Sequence, residues 1–401
     1  MKLTADVLVE ACDDLAGEAG VTVTTELEPL GGPGAPVKPA TYEGGRFQVD
    51  DRWWGDGDEP VKAIVIDNEP SQANRLEAAL EALRPELGLP EIVLDLSGIG
   101  ELPPHLPKRL SGFRFPHRHA DAYLRDALLD GRRFPTTEVG QAIFSATADA
   151  AAPLLEWFPQ ALLFGFWQSH LGRKRSQAKL ARSWSSEIVG YKPAATGTKR
   201  FGLKGDPLNL SVTEALTYHD DDQLAHEWSF TGADKSKARG GKATEALSNV
   251  GHGQVLVREA DAAPAGVSFE AISQRSTVSL AALRRVRTGV PGADAAARAL
   301  LVALGLVAHV TAFGRSFSLR SGCELRPRSA AWQWLGATAE DDRDIDPRPT
   351  VADAVDLFRA CVAKAEDAGL PVGARWPTEP LVVQPNDALA QAIRKSWPQV
   401  D

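Results

Sequence analysis

The chain has few of the features that build a secreted, disulfide-bonded or zinc-binding protein. Its three cysteines, Cys12, Cys323 and Cys361, are odd in number and far apart. No Cys-x-x-Cys pair or Cys/His spacing occurs, which argues against a disulfide framework and a zinc centre. The first thirty residues carry Asp and Glu throughout and lack the apolar core of a cleavable signal. We therefore expect no secretory signal and a cytoplasmic location.

Long apolar runs and an excess of positive charge are also missing. The longest apolar run, 299–313, is too short to span a bilayer and predicts a buried helix. The net charge of −9 argues by itself against a polyanion partner. That average hides a division, because Lys and Arg outnumber Asp and Glu roughly twofold between residues 104 and 205, whereas 340–367 is acidic. A basic face could bind a polyanion, and the two faces could join neighbouring copies of the chain.

Enzyme motifs are absent. The sequence has no G-x-S-x-G elbow, no Walker loop and no G-x-G-x-x-G after a strand. A histidine and carboxylate group, comprising residues 219–222, His226, Glu227 and His252, contains residue types that bind divalent metals. Its spacing matches no metal motif, so we interpret these as polar loop residues and predict no metal and no cofactor. A metal-dependent ribonuclease using Asp220 to Asp222 with His219 or His226 is the alternative.

The hydrophobic pattern predicts a mixed protein of strands and helices. Strands are predicted at 22–27, 61–66 and 91–96, with a helix over 72–83 between the last two. Further strands are predicted at 161–167, 187–191, 266–272 and 316–320. Further helices are predicted at 119–129, 139–151, 278–286, 295–307, 351–368 and 387–396. A polar, Gly/Lys-rich segment at 219–253 is typical of an extended loop or hairpin insertion. Strand, helix and strand in this order indicate an α+β or α/β sheet protein.

A basic stretch from Gly172 to Lys204 is the first candidate site. Cations neutralise phosphates, and the neighbouring aromatic residues Trp184, Tyr191 and Phe201 offer faces on which unpaired bases stack. The stretch predicts single-stranded nucleic-acid binding, and the alternative is a solvated loop whose charges only keep the protein soluble. The residues we predict to bind nucleic acid here are Arg173, Lys174, Arg175, Lys179, Arg182, Lys199 and Arg200.

The start of the predicted helix after the second strand is the second candidate site. Its residues run Ser71-Gln-Ala-Asn-Arg75. Exposed N–H groups at a helix N-terminus favour an anion, and an arginine on the first turn can grip a phosphate with two donors. The alternative is an ordinary N-cap followed by a surface arginine. The residues alone favour the N-cap, with Ser71, Gln72, Asn74 and Arg75 as the candidates for binding an anion.

Seven segments in order give the sequence a family resemblance. It resembles the backbone proteins of the type I-G (formerly I-U) CRISPR Cascade, members of the repeat-associated RNA-binding (RAMP) superfamily. The matching segments span most of the chain, from about residue 27 to 325. They are Leu30-Gly-Gly-Pro-Gly, Ser71-Gln-Ala-Asn-Arg, Leu163-Phe-Gly-Phe-Trp-Gln-Ser-His, Ser186-Glu-Ile-Val-Gly-Tyr, Asn249-Val-Gly-His-Gly-Gln, Ser279-Leu-Ala-Ala-Leu-Arg-Arg and Leu319-Arg-Ser-Gly-Cys-Glu-Leu.

The resemblance implies an α+β fold with a ferredoxin-like (RRM-type) core. It implies an RNA-binding domain over 1–335 with large insertions, among them a thumb-like hairpin and a basic region at about 105–255. An acidic helical region follows at 336–401. Copies would stack head to tail along one CRISPR RNA beside other Cascade subunits, and the guide would pair with target DNA. RRM modules read RNA through aromatic residues on the sheet. Because no such signature is found, we expect binding through loops and phosphates.

Within this family the helix start gains significance. Ser71, Gln72 and Arg75 resemble the Ser-Gln-x-x-basic segment that contacts guide phosphate in other Cascade backbone subunits. The resemblance implies a non-catalytic, RNA-binding role in antiviral DNA targeting. A third reading, from outside this class, is a generic scaffold whose acidic C-terminal region binds basic partners.

Overall fold

The computed structural model describes residues 1–55, 57–100, 102, 106–168, 178–194 and 266–396, and the backbone of three short strands between residues 214 and 246. The helices in this part of the chain are α1 (Ala5–Ala11), α2 (Glu69–Leu87), α3 (Ala122–Arg125), α4 (Glu138–Ser145), α5 (Ala152–Trp157), α6 (Pro159–Phe164), α7 (Leu280–Leu283), α8 (Asp294–Phe313), α9 (Val351–Asp367) and α10 (Asp387–Ser396).

The strands in this part of the chain form two larger sheets and two small ones. The strands are β1 (Gly20–Pro29), β2 (Val49–Arg52), β3 (Val61–Asp67), β4 (Ile92–Asp95), β5 (Arg109–Ser111), β6 (Ala127–Leu129), β7 (Arg132–Arg133), β8 (Phe166–Trp167), β9 (Lys179–Leu180), β10 (Trp184–Pro193), β11 (Glu214–His219), β12 (His226–Ser229), β13 (Glu245–Ala246), β14 (Phe269–Ser279), β15 (Phe317–Arg320), β16 (Cys323–Leu335), β17 (Arg343–Asp344) and β18 (Leu381–Pro385).

The main sheet is antiparallel and has the order β15-β16-β1-β14-β10-β3-β2, with β17 paired to β16. Its central strand β1 alternates buried Val21 and Val23 with half-buried Thr22 and Thr24. That alternation is typical of a strand with one face in the core. Helices α2 and α8 pack against each other, and α2 also lies on β10. The start of α2 is therefore held beside the sheet.

Helix α8 is the centre of the core. It contacts α1, α2, α6 and α9, and nearly all its residues are buried. A helix surrounded in this way is expected to be apolar on every side. By length and composition α8 could cross a membrane, but 89% of its most apolar window is buried inside the protein, as in a core helix. The prediction of a buried helix in this region is confirmed.

The C-terminal region contributes to the same core. Helix α9 begins with a capping box between Thr350 and Asp353 and packs along α8. Strand β18 pairs in parallel with β4 and antiparallel with β6, completing a five-stranded sheet in the order β5-β4-β18-β6-β7. The helices predicted at 351–368 and 387–396 are confirmed, and the α+β class is confirmed. The domain boundary at residue 335 stays a prediction.

The strand predicted at 161–167 is wrong for most of its length. Pro159–Phe164 is helix α6, and only Phe166 and Trp167 are extended. A short, wholly apolar run does not distinguish a buried helix from a buried strand. Here Pro159 stands at the first helical position, where its missing N–H costs nothing, and Gly165 ends the helix with a φ of +81°.

Two other predicted helices are also corrected. The segment 119–129 forms the single turn α3 and then strand β6, which turns into β7 through Asp130 and Gly131. Both turn residues have positive φ, as the type I′ turn of a two-residue hairpin requires. An Asp-Gly pair is a common signature of that turn. In the segment 278–286, strand β14 continues to Ser279 because Val278 pairs with both Val21 and Trp184. Only the short helix α7 follows it. The helix predicted at 139–151 stops at Ser145.

Candidate nucleic-acid interface

The carboxylate of Asp67, the last residue of β3, is the centre of the candidate site. It is fully buried. Three side chains from the start of α2 donate to it: Ser71 Oγ over 2.9 Å, Gln72 Nε2 over 2.5 Å and Arg75 Nε over 2.9 Å. A buried carboxylate requires such partners, since an unpaired buried charge is strongly unfavourable. Three of the four predicted residues on this helix therefore converge on Asp67.

A second arginine joins Asp67 from the other end of the sheet. Arg320, at the end of β15, donates from Nη2 to Asp67 over 2.7 Å and from Nη1 to the carbonyl oxygens of Ile66 and Lys38. Arg75 in turn donates from Nη2 to the carbonyl of Leu319 over 2.9 Å. The loop near Lys38, helix α2 and the β15–β16 hairpin thus meet at one carboxylate.

Gln72 extends this cluster into the core. Its side chain is fully buried, and its Oε1 accepts from Ser186 Oγ over 2.9 Å and from Gln274 Nε2 over 2.8 Å. Ser186 lies on β10 and is also bonded to Ser276 on β14. The amide of Gln72 is therefore committed to protein partners, and it fixes the first turn of α2 against two strands. In this arrangement a direct RNA contact of Gln72 stays a prediction.

The backbone donors of the first turn of α2 are less available than the sequence suggested. The N-cap is Asn68, whose Oδ1 accepts from the Ser71 N–H over 3.1 Å. Position 70 is a proline, which has no N–H. Asn68 also donates from Nδ2 to the Tyr42 hydroxyl. An anion at this helix would consequently be bound by the arginines rather than by backbone groups.

The arginines retain donors for such an anion. The Arg75 and Arg320 side chains are 27% and 25% exposed. Nη1 of Arg75 donates to no group in the described part of the chain, whereas its Nε and Nη2 are held by Asp67 and Leu319. Asp67 supplies one negative charge against two guanidinium groups, so positive charge remains in excess. A fixed guanidinium with a free edge is suited to a phosphate oxygen.

The hairpin of β8 and β9 places further predicted residues beside the same helix. Lys179 pairs with Trp167 across the hairpin, and its Nζ lies 5.7 Å from the centre of the indole ring. Arg182 donates from Nη1 to Glu69 Oε2 on the first turn of α2 over 3.1 Å. Lys179 and Arg182 therefore belong to the surface that surrounds the start of α2.

A buried ion pair attaches this hairpin farther along α2. Arg118 donates to both carboxylate oxygens of Glu77, over 2.7 and 2.8 Å, and from Nη1 to the Gly165 carbonyl over 3.0 Å. Burial raises the pKa of the Glu77 carboxyl, and the Arg118 guanidinium opposes that rise. The pair fixes the position of the hairpin relative to α2.

Other predicted residues are placed differently. Asn74 is exposed on α2 and has no side-chain hydrogen bond among the described residues. Five predicted contacts, Arg173, Lys174, Arg175, Lys199 and Arg200, lie outside the described residues. The carboxylates of the ribonuclease alternative, Asp220 to Asp222, lie outside them too. Within the described ranges, no group of three or more His, Cys, Asp and Glu side chains could hold a metal ion.

Sequence reasoning missed Asp67, Arg320 and Trp167 as members of this surface. From the sequence, Asp67 was interpreted only as a residue that starts a helix. A polar residue at the end of an apolar strand could also have indicated a functional site. Arg320 lies within one of the family segments but 245 positions from Arg75, so no local pattern joins the two. Tyr191, named as an aromatic of the basic stretch, is buried, and Trp54 stacks on its ring at 4.0 Å.

The protein has an antiparallel sheet with helices on its core face and two arginines at the start of α2. These features define an α+β protein with a candidate phosphate-binding surface. Residues 21–194 match the family model of the CRISPR-associated protein GSU0053, which covers β1, β3, α2 and β10. This part of the chain is therefore similar to a CRISPR-associated protein family, the class of protein that the seven segments indicated. No curated protein matches the chain.

Proposed function

We propose that this protein is a non-catalytic backbone subunit of a type I CRISPR surveillance complex, and that it binds the guide RNA through its phosphates. The cluster at Asp67 carries the proposal. It holds Arg75 and Arg320 in fixed positions, about a quarter exposed, at the start of α2. Fixed guanidinium groups bind backbone phosphate without reading sequence, which suits a subunit whose guide does the reading.

The sheet order supports the ferredoxin-like core that the resemblance implies. Strands β16, β1, β14 and β10 lie side by side in that order and pair antiparallel. Helix α2 lies between β1 and β10 in the chain, and α8 lies between β14 and β16. The RRM-type fold consists of two strand-helix-strand units whose strands alternate within one antiparallel sheet.

The proposal includes the partners and the location. Copies of the chain would assemble head to tail on one CRISPR RNA, together with other Cascade subunits, in the cytoplasm. Target DNA would be bound through pairing with the guide. The absence of nucleophile and nucleotide-loop motifs from the sequence supports a binding role over a catalytic one.

The test is salt-dependent binding of a CRISPR RNA to the full-length chain. The slope of the logarithm of affinity against the logarithm of salt concentration counts the phosphates that are neutralised. Arg75→Ala removes the free Nη1 edge but leaves Asp67 bonded to Arg320, Ser71 and Gln72. We expect weaker binding of every RNA sequence and a slope smaller in magnitude by about 1.

Two controls accompany this measurement. Arg359→Ala removes an exposed arginine from α9, beside Glu86 and Asp356, and should leave the slope unchanged. A triple change of Arg173, Lys174 and Arg175 to Ala tests the basic stretch. Wild-type chain that binds no RNA at low salt, alone or with co-expressed partner subunits, would contradict the proposal. RNA cleavage that requires Mg²⁺ and stops with EDTA would favour the ribonuclease alternative instead.

A further inference from the structure

Trp167 is an exposed tryptophan on a rigid support. In the alternating pattern of β8, Phe166 on one side of it is buried and packs edge-on against His119 at 4.5 Å. Gln168 on the other side is buried and donates from Nε2 to the Phe144 carbonyl over 3.1 Å. Trp167 itself is 57% exposed. Both chain neighbours are anchored in the core, so the indole is held outward.

The hairpin beneath Trp167 is closely packed. Gly165 has a φ of +81°, and a Cβ atom there would lie 2.7 Å from the Arg182 nitrogen and 2.8 Å from the Leu180 oxygen. The two strands can therefore approach each other at this point only with glycine. Leu180, the partner of Phe166, is buried, whereas Lys179, the partner of Trp167, is exposed. Trp167 and Lys179 thus form the outer face of the hairpin.

That outer face lies beside the arginines already described. Arg182 joins the hairpin to Glu69, and Arg118 joins it to Glu77. Glu69 and Glu77 are eight positions apart, about 12 Å along the helix. An exposed aromatic ring with a lysine over it therefore lies along the first turns of α2. Arg75 belongs to the same stretch of helix but to another face, because residues two positions apart in an α-helix point about 160° apart.

We propose that Trp167 is a stacking platform for an unpaired nucleobase of the RNA strand bound along α2. This inference rests on the proposed function and adds a contact to the base, where Arg75 and Arg320 contact only phosphate. Stacking tolerates any base, because every base has a π face, and Lys179 can pair with the adjoining phosphate. A single exposed aromatic residue is ordinary on a protein surface. The fixed hairpin and the neighbouring cations distinguish Trp167 from that case.

The experiment compares wild type, Trp167→Ala and Trp167→Phe in the full-length chain. The probes are a single-stranded RNA and the same sugar-phosphate backbone carrying abasic sites. For the intact RNA we expect Trp167→Ala to weaken binding by roughly 5- to 100-fold. The salt slope should not change, because no phosphate contact is lost. Trp167→Phe should restore most of the affinity, and both variants should bind the abasic backbone as wild type does.

The matched control is Trp53→Ala. Trp53 is 65% exposed and follows β2, whose last residue pairs with Val61 at the opposite end of β3 from Asp67. Val61 and Asp67 are six positions apart, about 20 Å along the strand, so this change should not alter RNA affinity. Unchanged affinity of Trp167→Ala, or an equal loss on intact and abasic RNA, would overturn the inference while leaving the proposed function standing. Wild-type chain that binds neither probe would overturn both.

Discussion

Arg320 Nη2 donates to the Asp67 carboxylate over 2.7 Å, although the two residues lie 253 positions apart in the chain. The contact closes the β15–β16 hairpin onto the end of β3 and the start of α2. Arg75 reaches the same carboxylate from the other side. One buried negative charge therefore holds two arginines from distant segments, and both stability and the proposed RNA contact depend on it.

Loss of both arginines should destabilise the protein by more than the sum of the single losses. Either Arg75→Ala or Arg320→Ala leaves Asp67 with one cationic partner, whereas the double variant leaves a buried charge without any. We expect about 1 to 2 kcal/mol for each single change and at least about 4 kcal/mol for the pair. Urea denaturation measures these values. Strict additivity would show that the two arginines act independently.

Gln72→Glu should be far more disruptive than its size suggests. The change removes the Nε2 donor to Asp67 and places a second carboxylate beside it in the core. We expect a loss of about 3 kcal/mol or more at neutral pH, measured by thermal or urea unfolding, and partial recovery at acidic pH where a carboxyl can be protonated. Asn74→Asp is the same chemical change on the exposed side of α2 and should cost less than about 0.5 kcal/mol. Equal effects would contradict the role given to Gln72.

Acid should destabilise the fold through two buried histidines. Burial lowers the pKa of His119 to about 3 and of His309 to about 4. Unfolded histidines titrate near pH 6.5, so between about pH 6.5 and 4 the unfolded chain binds protons that the native protein does not. The contribution of these histidines to the free energy of unfolding is therefore complete above that range. It falls as the pH drops through the range, by about 1.4 kcal/mol per pH unit for each histidine.

His309→Phe should remove one histidine from this dependence. His309 lies among the aromatic rings of Trp184, Phe313 and Trp332, with ring centres 5.5–5.8 Å away, so a phenyl ring suits the site. The slope of unfolding free energy against pH should decrease by about one proton between pH 4 and 6.5. Substitution of the exposed His117 serves as the control. A slope that is unchanged in His309→Phe would refute the assignment.

Gly165→Ala tests the hairpin that supports Trp167. The added methyl group would collide with the backbone of Leu180 and Arg182 at 2.8 and 2.7 Å. Gly289 has a similar φ, +77°, with nothing within 4 Å of the added atom, and so provides a control for backbone conformation alone. We expect about 1 kcal/mol for Gly289→Ala and more than about 2 kcal/mol for Gly165→Ala. Only Gly165→Ala should also weaken RNA binding.

Local patterns were enough to predict much of the fold. Strands β1, β3, β4 and helix α2 follow from alternation, apolar runs and helix-start residues within windows of about ten residues. The errors occurred where a local pattern was ambiguous or was overlooked. The run 161–167 is apolar throughout and shows no period. The helix predicted at 119–129 overlooked the hairpin signal Asp130-Gly131 that directly follows it. Strand β14 extends to Ser279, into the segment predicted as a helix, because it pairs there with β1 and β10.

The sequence alone was sufficient to predict the order of the main elements, the absence of known catalytic motifs and the family segments, because each depends on residues close together in the chain. It also indicated the start of α2 as a candidate binding surface. The contacts that those residues make depend on the tertiary fold. Gln72 is committed to the core, Arg75 is oriented by Asp67, and Arg320 and Trp167 join them from distant segments. Folding alone brings such residues together, since a buried charge must find its partners wherever in the chain they occur.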